Sequence, residues 1–181
     1  IKAGSSHRAI VDVYDFSGIN TLTDVGGGIG VLMAEILIAN PVMKGVVADI
    51  PSVIKEARNI IQSRGLEDRC QITECDFFKK IPPGSDAYLM SNILHDWSDE
   101  QCRIILTNCH RAMKTESRLL VVEMVITPGN EPSVAKLLDL EMLVITGGRE
   151  RTEAEFNNLF MSSGFKLSRI IPTKESVCII E

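Results

Sequence analysis

Apolar positions in this chain follow two rhythms: short unbroken runs, and longer stretches in which they recur every three or four residues. The first rhythm suits strands buried on both faces, the second amphipathic helices. After a helix-like segment around His7 to Tyr14, runs at Thr21 to Val25, Gly45 to Ala48, Gln71 to Glu74, Ala87 to Ser91 and Leu119 to Met124 predict five strands. Helices are predicted between them from about Gly30 to Ala39, Ser52 to Ser63 and Asp99 to Met113. Asn40 and Pro41 stop the first helix, since proline cannot continue one, and Gly65 ends the second. In the third, Cys102, Ile105, Leu106, Cys109 and Met113 recur at helical spacing, which assigns them to the core. Strands and helices alternating through short connections predict an α/β fold: a parallel sheet with helices on both faces and the nearly all-apolar fifth strand in its interior.

The second half changes pattern. Ser98 with Gln101, and Thr152 with Glu155, have the spacing of capping boxes and predict two helix starts; the second of these helices ends at Gly164. Val134 to Ile145 is predicted helical. Phe165 to Ile171 and Ser176 to Ile180 then read as two strands joined only by Pro172 to Glu175, too short a link for the dozen-residue crossover that parallel neighbours need. The last strand is therefore expected to run antiparallel.

A chain of 181 residues fits one domain. It starts at Ile1 with a soft stretch to Ser6, so a larger product with a partner domain is expected. The 19 basic residues are scattered against 24 acidic ones, which argues against a nucleic-acid partner. No apolar run approaches the ~20 residues of a membrane span and no secretory leader is legible, so a soluble cytoplasmic protein without a membrane partner is expected. Cys70, Cys75, Cys102, Cys109 and Cys178 are odd in number and lack the paired spacing of a zinc site. Adjacent Cys109 and His110 would point about 100° apart on a helix. Reduced structural thiols and no metal are expected.

The candidate chemistry gathers at strand ends. Asp24-Val25-Gly26-Gly27-Gly28-Ile29-Gly30 falls where the first strand turns into a helix, and glycines there let a cofactor lie against the backbone. An empty glycine turn and a dinucleotide site remain alternatives. Asp49, about 20 residues on, stands where a carboxylate takes ribose hydroxyls, or else where it caps the following helix. Asp76, beside Phe77 and Phe78, offers an acceptor for an adenine amino group, although paired phenylalanines also suit a core. His95 lies past the fourth strand and has the ordinary pKa of ~6.5 that suits a general base; a surface or capping histidine is the plain alternative. Glu123, ending an apolar strand, needs a partner, and an imidazole would serve. Glu150, amid charged neighbours, reads equally as a second orienting carboxylate or as a solvated loop residue.

These residues together resemble the C-terminal catalytic domain of plant-type small-molecule O-methyltransferases, the family of caffeic acid, flavonoid and hydroxyindole methyltransferases and their bacterial relatives. The resemblance runs almost end to end and is carried by Asp15-Phe16-Ser17-Gly18, Asp24 to Gly28, Asp49-Ile50-Pro51, Cys75 to Phe78, Leu94 to Asp99 and Gly147 to Thr152. It implies a class I methyltransferase sheet of Rossmann-like form, mostly parallel with an antiparallel C-terminal strand, whereas nicotinamide-binding sheets usually continue parallel. It implies S-adenosylmethionine as cofactor, with Gly26 and Gly28 against it, Asp49 on its ribose, Asp76 and Phe77 framing its adenine, and Trp97 nearby. It further implies His95 as base, flanked by Glu123 and Glu150, with Asp96 and Met142 touching a small hydroxylated aromatic acceptor and no metal required. Cys75 stands where the family has glycine, and Ser91 where plant members have lysine. The family's N-terminal domain, which builds the homodimer, has no counterpart in these residues. A cofactor-binding module without catalysis and an NAD-dependent dehydrogenase are the rival readings.

Overall fold

Residues 3–181, and side chains from residue 7 onward, are described by a computed structural model. Ile1 and Lys2 of the soft opening stretch lie outside the described residues, and the first helix, α1 (Ala3–Val13), starts earlier than the sequence pattern suggests. There follow β1 (Thr21–Val25), α2 (Val31–Ala39), β2 (Lys44–Asp49), α3 (Pro51–Ser63), β3 (Cys70–Glu74), β4 (Ala87–Ser91), α4 (Asp99–Ala112) and β5 (Arg118–Glu123). The chain closes with β6 (Val125–Ile126), α5 (Val134–Ile145), β7 (Arg151–Thr152), α6 (Glu153–Ser162), β8 (Ile170–Pro172) and β9 (Cys178–Ile180).

Seven strands form one sheet in the order β3-β2-β1-β4-β5-β9-β8. The first five are mutually parallel, while β9 is antiparallel to both β5 and β8, as the short link between the last two strands requires. Strand order reverses between β1 and β4. At such a switch point the connecting loops diverge to opposite faces and leave a crevice at the carboxyl ends of the strands. Val25, Asp49 and Ser91 all end strands there.

Alternation along each strand splits the core in two. Leu22, Val47, Leu89, Leu120 and Val122 point to one face and pack with Met33, Ile36 and Leu37 of α2 and Ile10 of α1. Tyr88, Met90 and Val121 point to the other and meet Cys102, Ile105, Leu106 and Cys109 of α4 and Phe156 and Phe160 of α6. Each fully buried aliphatic side chain contributes roughly 1.5–3 kcal/mol, so the sheet interior is the main source of stability. All five cysteines are unpaired, four of them buried. Burial pushes the Cys109 thiol up to about 12, so it is an inert core group. Among the described residues no helix is long and apolar enough to cross a membrane.

Both capping boxes form. Ser98 Oγ accepts from Gln101 N and Gln101 Oε1 accepts from Ser98 N, and Thr152 and Glu155 repeat the exchange. Two features depart from the sequence pattern. β8 is shorter than the run from Phe165: Ser168 N and Arg169 N both converge on Glu181 O, which breaks the regular ladder, and the Phe165 ring packs against Phe160 and His110. The pair β6–β7, two residues each and parallel, carries no periodicity a sequence could display.

Tyr88 is fully buried, and its hydroxyl lies 2.9 Å from Ala112 O and 3.0 Å from Pro82 O while accepting from Ser85 N. Tyr88→Phe leaves Pro82 O and Ser85 N without this partner, while Ala112 O keeps its bond from Gly84 N, and is expected to lower unfolding stability by ~1–3 kcal/mol in urea titrations. A loss under ~0.5 kcal/mol would show that water replaces the hydroxyl.

Candidate active site

The glycine loop is shaped by three contacts. Gly26 adopts φ 71° and donates to Ala48 O at 2.8 Å, which ties the end of β1 to β2. A side chain at Gly26 would collide with the Ile93 side chain. Gly28, at φ 58°, has nothing within 4 Å of where a Cβ would stand, so a methyl there would project into open space. The Asp49 carboxylate binds loop amides and does not cap α3. Its Oδ2 accepts from Gly28 N at 2.8 Å and its Oδ1 from Ile50 N at 2.7 Å, whereas Ile50, the N-cap of α3, receives no side-chain cap bond.

Asp24 sits beneath this loop, 2% exposed, with no donor to its carboxylate among the described residues. Burial, then the charge of Asp49, raises its pKa to about 7. Across the crevice Asp76 accepts from Phe78 N at 3.1 Å and pairs with Lys79 Nζ at 2.8 Å, a partner the sequence did not suggest. That lysine holds the partly exposed Asp76 carboxyl below its usual range. The Phe77, Phe78 and Trp97 rings form one edge-on cluster with centroids 4.8–6.1 Å apart. Phe77 and Phe78 are each partly buried, so neither the core reading nor the cofactor reading takes the whole of either ring.

His95 lies on a 3₁₀ turn, Leu94–Asp96, directly beyond β4. Glu123, 0% exposed at the end of neighbouring β5, fixes that turn: its Oε1 accepts from Ile93 N at 3.0 Å, Leu94 N at 2.8 Å and His95 N at 3.3 Å. The same carboxylate reaches the side chain, with Oε2 3.4 Å from His95 Nδ1. Glu150 Oε1 lies 3.0 Å from Nδ1. A proton on Nδ1 is the tautomer both carboxylates favour, which leaves Nε2 as the basic nitrogen, 3.8 Å from Asp96 Oδ1. Burial opposes a charge on His95, yet the Glu150 hydrogen bond and the charges of Glu123, Glu150 and Asp96 outweigh it and raise the pKa to about 9. Burial likewise lifts Glu123 to about 7, against the pull of His95. The three side chains bring ligand-type atoms within 4.8 Å of one another, close enough to share one proton or one cation.

Glu150 is buried, 3% exposed, which removes the reading as a solvated loop residue. The segment around it is moulded onto the His95 turn. Gly148 abuts His95 O so closely that a Cβ would collide with it, and Arg149 N donates to the same carbonyl at 2.9 Å. Arg151, 1% exposed, donates to Leu94 O and Trp97 O at 2.9 Å and pairs with Asp99 at 2.8 Å. Glu150 N donates to Asp139 Oδ1 of α5 at 2.9 Å. Met142 lies three residues further along α5, partly buried. Sequence reasoning quoted Gly148 and Arg151 in a motif without a role, because a buried arginine looks like any surface charge until its carbonyl partners are known.

A cavity of about 600 Å³ lies elsewhere, between Arg118 and Leu119 at the amino end of β5 and Phe165. The crevice side holds a cavity of about 330 Å³ over the glycine loop. A further cavity of about 530 Å³ is lined by Asp139, Gly148 and Glu150, so volume alone singles out no end of the sheet, whereas the convergent polar groups lie at the crevice.

Residues 4–166 match the family model described as the O-methyltransferase domain. A phenazine O-methyltransferase of Lysobacter antibioticus is 44% identical over 174 residues, 96% of this chain and 51% of its own length. An aclacinomycin 10-hydroxylase of Streptomyces purpurascens is 37% identical over 90% of this chain and 44% of its own. Among solved structures, an O-methyltransferase from neocarzinostatin biosynthesis, in complex with S-adenosylmethionine and 2-hydroxy-5-methyl naphthoic acid, superposes with TM-score 0.87 at 32% identity, covering 94% of this chain and 50% of its own. The chain spans about half the length of these relatives.

Asp24 supplies a test of the site's electrostatics. A carboxyl whose pKa is raised by folding, from the ordinary 3.8 to about 7, contributes stability that is complete below pH 4 and lost as pH rises through 7. Asp24→Asn is expected to melt above the wild type at pH 8 in the absence of ligand, with the advantage shrinking toward pH 5. An advantage that stays constant with pH would place the Asp24 titration outside this window.

Proposed function

The chain belongs to the O-methyltransferase domain family, and on that premise we propose that it transfers a methyl group from S-adenosylmethionine to a hydroxyl of a small aromatic acceptor, with His95 as general base. The observation that carries the reading is the 3.0 Å contact of His95 Nδ1 with buried Glu150, which leaves Nε2 free to take a proton. The glycine loop fits the cofactor: Gly28 leaves open space where any side chain would intrude, and Asp24 and Asp49 face it with carboxylates. When bound, that cofactor supplies an electrophilic methyl group on a cationic sulfur.

The chain's own residues do the rest. Gly26 and Gly28 let the backbone approach, Asp49 accepts from ribose hydroxyls, and Asp76 with Phe77 and Trp97 frames the adenine once Lys79 yields. The acceptor hydroxyl, with a phenol's pKa of ~10, would lose its proton to His95 Nε2 as its oxygen takes the methyl group and the carbon–sulfur bond breaks, releasing the neutral thioether adenosylhomocysteine. Glu123 and Glu150 stabilise the resulting imidazolium, and Asp96 and Met142 contact the acceptor.

We further propose that an N-terminal domain completes the acceptor pocket and joins two copies into a homodimer. Leu137, Leu140 and Val144 lie along α5 at spacings of three and four, 62–84% exposed, an apolar face that asks for a cover. The rival reading of a cofactor-binding domain without methyl transfer draws support from the hydroxylase relative. A dehydrogenase is disfavoured by antiparallel β9.

Assays with labelled cofactor and a panel of phenols decide between these. His95→Gln is expected to bind adenosylhomocysteine normally and to lower turnover ~100-fold or more; turnover within a fewfold of wild type would assign the base elsewhere. With the His95 pKa near 9, wild-type turnover is expected to climb from pH 6 to 9. Glu150→Gln removes a charge and a hydrogen bond that favour the imidazolium, so the rising limb moves to lower pH while the plateau falls. A limb that stays in place would remove Glu150 from the proton transfer. Asp49→Ala is expected to weaken adenosylhomocysteine at least about tenfold in calorimetry, since charge-assisted hydrogen bonds are worth ~1.5–3 kcal/mol each. An unchanged dissociation constant would confine Asp49 to holding the loop.

A further inference from the structure

The cavity over the glycine loop is walled on its open side by α1, which has no part in the site described so far. His7 lines that cavity together with Asp24, Gly26, Gly28, Ser91 and Asn92. It precedes Ile10 by three residues, and Ile10 is 1% exposed, so helical spacing turns both side chains toward the domain. His7 Nδ1 is buried without a hydrogen-bond partner among the described residues. A buried polar atom left unpaired costs ~1–3 kcal/mol, and structures rarely tolerate one without a use for it. On the opposite wall Asn92 holds a left-handed backbone, φ 54°, unusual for a residue with a side chain. Among the described residues no lysine or arginine lines the cavity.

Among the described residues, a ligand reaching past the glycine loop into this space therefore meets one buried carboxylate and one unpaired imidazole nitrogen, with no full positive charge. That pair is complementary to an amino-acid group: an ammonium toward Asp24 and a carboxylate toward a neutral donor. We infer that His7 is a cofactor-binding residue whose Nδ1–H donates to the carboxylate of the methionyl end of S-adenosylmethionine. The inference rests on the cofactor reading above and extends it to a helix outside the sheet's loops. Burial lowers the His7 pKa, with Glu35 opposing, so the ring is neutral at physiological pH and must donate as the Nδ1–H tautomer. In this arrangement α1 fastens the tail of the cofactor while the loops of the sheet hold its nucleoside.

Two ligands isolate the tail. Adenosylhomocysteine carries the amino-acid group, and 5′-methylthioadenosine keeps the nucleoside and sulfur but lacks it. Calorimetry on the full chain is expected to show His7→Ala weakening adenosylhomocysteine about tenfold, the scale of one hydrogen bond to a charged group, with methylthioadenosine unchanged. His7→Asn, which sets an amide nitrogen near the place of Nδ1, recovers most of the loss. Equal weakening of both ligands would mean that His7 acts only through the packing of α1, and an unaltered adenosylhomocysteine affinity would mean no contact; either overturns the inference. Wild-type protein that binds neither ligand would instead overturn the cofactor reading, and this inference with it.

Discussion

A single buried carboxylate organises the loops at the carboxyl end of the parallel strands. Glu123 ends β5 with no exposure to solvent, and an ionised carboxylate there is costly unless donors surround it. The donors are the three consecutive amides of Ile93, Leu94 and His95, the free N–H groups at the start of a 3₁₀ turn. Turn and carboxylate depend on each other: without Glu123 three amides lose their acceptor, and without the turn a buried charge loses its donors. His95 stands where it does because it belongs to that turn.

The same end of the sheet carries an excess of negative charge around one imidazole. Glu123 and Glu150 both face His95 Nδ1, and the outcome is an imidazole that holds its proton to about pH 9. Desolvation, which works against the imidazolium, is overcome because two carboxylates share one ring. Arg151 brings the opposite charge but spends it on Leu94 O, Trp97 O and Asp99, locking the backbone of the turn and leaving the ring to the glutamates. Gly148 completes the fit by being too small to push His95 O away. The segment from Gly147 to Thr152 is thus as much a part of the His95 turn as the turn itself.

Coupling extends outward through Asp139, which accepts from Glu150 N and belongs to α5. That helix shows solvent an apolar face, so the element that supports one orienting carboxylate is also the element that asks for a cover. Contact on α5 and geometry at His95 are linked by one hydrogen bond. At the other end of the crevice, Asp49 performs a comparable local task by holding Gly28 in a conformation that keeps the loop open.

Periodicity and punctuation carried most of the fold. Apolar runs located the strands, Ser98 and Thr152 marked helix starts, and the short link from Pro172 to Glu175 dictated an antiparallel end, because each of these follows from local chain geometry. The motif residues Asp24 to Gly30, Asp49, Asp76 and His95 were legible for the same reason: they sit at strand ends, and strand ends in such a sheet share one crevice. What the chain order could not display were relations across long separations. Whether Glu150 was solvated or buried depended on Asp139 and His95, 11 and 55 residues away. Arg151 acquired its role only from carbonyls more than 50 positions distant, and His7 its place only from the packing of α1 beside the glycine loop. Hydrophobic pattern is read by the chain locally, whereas a buried polar group is defined by its partners, and only the closed tertiary structure selects them.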